Sequence, residues 1–89
     1  MLKTEVVVRN PLGLHARAAA RLTILTKRFN SSVVLMANGK RANARSLVAV
    51  MILAASMGTR VAIETTGPDE AEAMKAVARL FDDRFGEPP

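Results

Sequence analysis

Apolar runs alternate with short polar breaks along the chain, and the spacing inside each run predicts its element. Thr4-Glu5-Val6-Val7-Val8-Arg9 is short and β-branched, which predicts a strand. Asn10-Pro11-Leu12-Gly13 breaks it, because Pro11 cannot join a ladder and Gly13 tolerates positive φ. Residues 16–28 are rich in Ala, Arg and Leu and predict a helix, with Ala18, Leu22, Leu25 and Phe29 on one face. Ser32-Val33-Val34-Leu35-Met36 predicts a second strand. Asn38-Gly39 then suits a type I′ hairpin turn, which needs positive φ at both central residues. Lys40-Arg41-Ala42 is a short third strand whose basic side chains suit a sheet edge.

Leu47 to Ala55 is an unbroken apolar run, and periodicity alone cannot assign it. Ser46 ahead of it suits an N-cap and Gly58 beyond it a terminator, which favours a helix. On that helix Val50, Leu53 and Ala54 share one side, and Leu47, Val48 and Met51 share another. Either both sides are buried, or the second is an exposed docking patch. Arg60-Val61-Ala62-Ile63-Glu64-Thr65 alternates as a fourth strand, stopped by Gly67-Pro68-Asp69. Asp69 and Glu72 form a capping pattern for a last helix that runs to about Phe85. Ala73, Met74, Val77, Leu80 and Phe81 make its apolar stripe. Gly86 ends it, and Glu87-Pro88-Pro89 is expected to fray. The order β-α-β-β-α-β-α implies an α+β open sandwich: a four-stranded antiparallel sheet with three helices on one face. Residues 1–89 are expected to form a single domain.

Composition narrows the function. At 49% hydrophobic residues the chain is not a disordered segment. It has no Cys and one His, which excludes disulfides and makes a metal site unexpected. The first residues lack the apolar stretch of a signal peptide, and no run approaches the ~20 apolar residues of a membrane span. A cytoplasmic protein without membrane insertion is therefore expected, and a monomer. Residues 1–45 carry nine Lys/Arg against one Glu, and residues 46–89 four against seven Asp/Glu. The basic half can serve solubility, or steer acidic partners or phosphate. Without Tyr or Trp, and with its three Phe on expected buried positions, the chain offers no stacking platform for nucleic acid.

The one histidine, His15, stands where a strand gives way to a helix. A neutral imidazole nitrogen can attack phosphorus without a separate strong base, giving a labile phosphoramidate. Ala16, Arg17 and Ala18 would form the first helical turn, whose N–H groups lack partners within the helix and favour an anion. Arg17 adds a fixed charge with fork geometry for phosphate oxygens. No Gly-x-x-x-x-Gly-Lys-Ser/Thr loop is present, so no nucleotide or other cofactor is called for. Taken alone, a lone His before a helix is more often an ordinary cap or a surface residue.

Gly13-Leu14-His15-Ala16-Arg17, together with Asn43-Ala44-Arg45-Ser46-Leu47 at its later position, strongly resembles the histidine-containing phosphocarrier family, HPr, of the bacterial phosphoenolpyruvate-dependent phosphotransferase system. The resemblance spans Thr4 to Phe85. It implies the HPr fold and a phosphoryl carrier that is itself the covalent intermediate rather than a turnover enzyme. His15 would accept a phosphoryl group on Nδ1 from phosphorylated enzyme I and donate it to a histidine of an enzyme IIA protein. Arg17 would match the family arginine that contacts the group. Leu47, Val48 and Met51 fall on the family's docking surface, with Ala20 and Lys27 on the first helix's side of it. Ser46 matches the regulatory site used where an HPr kinase/phosphorylase exists; it is equally a plain N-cap. Ala18 replaces the usual family proline, and Val48 is smaller than the Met or Phe of many relatives. The stretch Ser46–Met51 is also similar to the nitrogen-related branch, NPr, so a regulatory binding module that docks partners through this patch stands as the alternative.

Overall fold

The computed structural model describes residues 1–88. Seven elements follow the expected order: β1 Leu2–Val7, α1 Ala16–Thr26, β2 Ser32–Ala37, β3 Lys40–Asn43, α2 Leu47–Ile52, β4 Arg60–Thr66 and α3 Glu70–Asp82. A 3-10 turn, Arg84–Gly86, comes after α3. The strands form one sheet in the order β1-β4-β2-β3, and every pairing is antiparallel. Alternation fixes which sheet face is covered: in β4, Val61, Ile63 and Thr65 are buried, while Ala62 and Glu64 lie on the half-exposed opposite face. Leu22 of α1, Val33 and Leu35 of β2, and Val77 and Phe81 of α3 complete the core with them. Leu25 and Phe29 of the expected α1 stripe, and Met74 and Leu80 of the α3 stripe, pack half-buried at its margin. β3 is an edge strand, as its basic residues suggest. The Asn38-Gly39 turn has φ of 53° and 75°, the left-handed pair a type I′ hairpin requires.

The element ends differ from the sequence expectation wherever a distant group intervenes. β1 occupies Leu2–Val7 rather than 4–9, because its partner β4 begins at Arg60, opposite Val7. Val8 instead trades hydrogen bonds with the loop ahead of β4, giving its N–H to Thr59 O and taking that of Gly58. α1 stops at Thr26 rather than 28; the Thr23 hydroxyl donates to Ala44 O at 3.2 Å, and that of Thr26 donates back to Thr23 O at 3.0 Å, with Ala44 O 3.4 Å away.

α2 stops at Ile52, three residues short of the expected end. Asn38 Nδ2 donates to the carbonyls of Leu53 and Ala54 at 2.9 and 3.3 Å, and Lys40 Nζ donates to that of Ile52 at 3.1 Å. Ala54, not Gly58, breaks the helix, with φ of 54°, and it is exposed rather than buried beside Val50 and Leu53. An L-residue in this region is strained by ~1–2 kcal/mol, which glycine escapes at the expense of added freedom in the unfolded chain. Ala54→Gly is therefore expected to stabilise the fold by about 0.5–1 kcal/mol in urea denaturation. A loss of stability there would show the backbone unstrained.

At α3 the expected Asp69–Glu72 capping pattern does not form. The Asp69 carboxylate turns away from its own helix to accept from Ser31 Oγ at 2.5 Å and Asn30 N at 2.9 Å. The Ser31 hydroxyl first, and the Asn30 N–H second, hold this carboxyl below its ordinary range. Glu70, not Glu72, takes the loop N–H, that of Gly67, at 3.1 Å. α3 ends at Asp82, before Phe85, and the chain then turns left-handed through Arg84, Phe85 and Gly86, with φ of 55°, 55° and 75°. That turn buries Phe85 edge-on against Phe81, ring centroids 4.8 Å apart.

Candidate functional site

The site begins with a turn. Gly13 N donates to Asn10 O at 3.1 Å, and Asn10 Nδ2 donates to Gly13 O at 2.7 Å. Gly13 has φ of 66°, and a Cβ there would stand 2.5 Å from Ala55 O and 2.9 Å from Ser56 Cα. Glycine is thus what lets this loop lie against the segment leaving α2, where Leu14 N donates to Ala55 O at 2.9 Å. With the loop fixed, the next residue caps α1.

That residue is His15. Its backbone is extended (φ −75°, ψ 179°), its carbonyl accepts the N–H of Ala19 at 2.9 Å, and its Nδ1 accepts the N–H of Arg17 at 3.3 Å. Its Nε2 lies 2.5 Å from Glu87 Oε2, and Glu87 Oε1 receives Asn10 Nδ2 at 3.0 Å. A carboxylate on Nε2 and an N–H on Nδ1 require one tautomer: the proton on Nε2, the lone pair on Nδ1. The His15 side chain stays 27% exposed, beside a depression lined by Leu12, Leu14, Ala54, Ala55 and Ser56.

Glu87 is the residue at this site to which the sequence did not point. Its side chain is only 9% exposed, so the segment expected to fray is docked through Glu87. Pro89 lies outside the described residues. Burial opposes the Glu87 charge, but hydrogen bonds from Asn10 and His15, with the nearby Arg21 charge, hold its carboxyl below the ordinary range. Asn10 is fully buried, and its amide serves the site as a double donor, to Gly13 and Glu87. An Asn two residues ahead of Leu-Gly hints at such a turn, but nothing local couples residue 87 to residue 15.

The remaining expected residues divide into two groups. Ala16 is exposed and Ala18 buried in the first turn of α1, where the N–H of Arg17 is already engaged by Nδ1. The Arg17 guanidinium is exposed and makes no hydrogen bond or ion pair among the described residues. Ala20 is half-buried on α1 and Lys27 exposed at its C-cap. The second group belongs to α2. Ser46 caps that helix, accepting the N–H of Ala49 at 3.3 Å, and is exposed; no hydrogen bond links it to His15. Leu47, Val48, Met51 and also Ile52 expose 39, 65, 41 and 58% of their surfaces, so the second side of α2 is an open apolar face. No helix among the described residues is long and apolar enough to cross a membrane, and none of their side chains cluster as a metal site.

Comparison with known proteins agrees along nearly the whole chain. The family described as "PTS HPr component phosphorylation site" matches residues 2–83. The phosphocarrier protein HPr of Cupriavidus necator is 49% identical over 87 residues, covering 98% of each chain. The phosphocarrier protein NPr of Escherichia coli K12 is 39% identical over 87 residues, covering 97% of each. Among solved structures, HPr-C-His from Thermoanaerobacter tengcongensis superposes with a TM-score of 0.95 at 35% identity, covering all of both chains.

Proposed function

The chain belongs to the HPr family of phosphocarrier proteins of the phosphotransferase system, and we propose that His15 is its phosphoryl acceptor, loaded by phosphorylated enzyme I and unloaded onto a histidine of an enzyme IIA protein. The observation that carries this reading is the tautomer geometry of His15, with Nδ1 unprotonated at the start of α1 and Nε2 tied to a carboxylate. The Nδ1 lone pair attacks the phosphorus held on the donor's histidine. The P–N bond to the donor breaks, and its electron pair returns to the donor nitrogen. The developing dianion then lies against the first N–H groups of α1, where that of Arg17 can turn from Nδ1 to a phosphoryl oxygen. The free Arg17 guanidinium supplies the countercharge, which suits a reaction governed by positioning and electrostatics. Unloading is the same displacement run toward the next histidine.

Incubation with phosphoenolpyruvate and a catalytic amount of enzyme I tests this. The expected product carries acid-labile phosphate, and 31P–15N correlation places it on Nδ1. Phosphate on Nε2, or none, overturns the assignment.

The exposed face of α2 supports the docking role of Leu47, Val48 and Met51, with Ala20 and Lys27 on the α1 side. Ser46 at its head is open to a kinase, and a phosphate there would put negative charge beside the patch. Val48→Asp is expected to weaken binding to enzyme I by roughly tenfold or more, because docking must then desolvate a carboxylate. Calorimetric titration with enzyme I measures it, and an unchanged affinity removes Val48 from the interface. If the same face also holds partners whose activity depends on the phosphorylation state, the chain works as a regulatory module as well as a carrier.

A further inference from the structure

Arg21 lies one turn beyond Arg17 on α1, outside the phosphoryl site. Its Nη1 donates to the Phe85 carbonyl, inside the left-handed turn that leads to Glu87. A Cβ on Gly86 would come within 2.8 Å of the same nitrogen, so the guanidinium is seated directly on the turn. Phe85, buried edge-on against Phe81, anchors the same turn in the core. Three residues running left-handed, two of them not glycine, persist only where surrounding contacts over-determine them. The turn's product is the placement of one carboxylate, that of Glu87, on Nε2 of His15.

We infer that Arg21 is a positioning residue that clasps the 84–87 turn to α1, and that the carboxylate so placed keeps the Nε2 proton on His15 through the whole transfer cycle. The inference rests on the carrier reading of His15. When Nδ1 attacks phosphorus, the ring passes from neutral to cationic, since it then bears the phosphoryl group on Nδ1 and a proton on Nε2. Glu87 balances that charge with no proton moving. When the P–Nδ1 bond breaks, the electron pair returns to Nδ1 and the original neutral ring is restored. If Nε2 instead lost its proton, the leaving group would be an imidazolate-like nitrogen and cleavage would slow. Among the described residues, α1 contributes the Arg21 charge near Glu87 and, on the Nδ1 side, the exposed Arg17; the turn itself carries Arg84; the 10–14 loop contributes only the neutral Asn10, and the 54–56 segment no charge.

The test uses the full chain and two variants, Arg21→Gln and Glu87→Gln. In the unphosphorylated wild type, 1H–15N NMR should show the Nε2–H of the sole histidine downfield and protected from solvent exchange. Both variants should lose that protection. In the phosphorylated forms, hydrolysis is followed by 31P NMR against pH. The wild type should keep its fast low-pH rate to about one pH unit higher than Glu87→Gln, the effect of removing one close opposite charge. Arg21→Gln should move the profile in the same direction through the displaced carboxylate, whereas loss of its own positive charge alone would move it the other way. A purely structural Arg21 would change the unfolding midpoint but leave the pH profile in place, and superimposable profiles overturn the inference. Should Arg21→Gln not fold, Arg21→Met, which keeps the stem and removes the donor, tests the clasp, and Glu87→Gln tests the carboxylate, each with the same two outcomes. A wild type that takes up no phosphate defeats the carrier reading instead, while the protected N–H still reports on the clasp.

Discussion

Exchanging His15 for alanine is expected to take acid-labile phosphate from about one group per chain to none, with the fold still standing. The chain holds no second histidine to take over. Loss of the side-chain cap on α1 costs about 1 kcal/mol, small against the ~5–15 kcal/mol that holds a domain together. The Glu87 carboxylate then loses one of its two donors but keeps Asn10. Labelling from phosphoenolpyruvate through enzyme I, read beside circular dichroism, separates loss of the acceptor from loss of structure. Acid-labile label surviving in the folded variant would place the phosphate elsewhere.

Gly13→Ala is expected to cost about 2–4 kcal/mol, the sum of a left-handed L-residue and a backbone overlap. The new methyl would meet Ala55 O at 2.5 Å and Ser56 Cα at 2.9 Å, and neither is a side chain that can swing away. Relieving the clash means parting the loop from the 55–56 segment and stretching the Leu14–Ala55 hydrogen bond. Asn10 and His15 ride on that loop, so phosphoryl transfer should fall along with stability. Urea denaturation measures the first and the enzyme I assay the second. A cost under about 0.5 kcal/mol, typical of an unconstrained surface site, would show the loop free to retreat.

The difference between what was legible in the sequence and what was not follows the range of the interactions. The strand and helix order, the Asn38-Gly39 turn and the two apolar sides of α2 are written in neighbouring residues, through periodicity and turn chemistry, whereas which side stays open is settled only by packing. His15 and Ser46 were legible as caps for the same reason. The end of α2 was not, because Asn38 and Lys40, from the hairpin, take its last carbonyls. Asp69 has the composition of a cap, yet Ser31 and Asn30 hold it from another loop. Glu87 looked like part of a loose tail because its partners, Asn10 and His15, lie at the far end of the sequence.

The strand order carries a kinetic consequence. Among the described residues β1 bonds only to β4, and its pairs run from Leu2 with Thr65 to Val7 with Arg60, so β1 waits for a strand made more than fifty residues later. Closing so long a loop adds little to the equilibrium cost, since that cost grows only logarithmically with length. It slows the search instead, and places the chain among mixed α/β folders rather than the faster helical bundles. The hairpin of β2 and β3 can zip locally, whereas the sheet is finished only when β1 finds its distant partner.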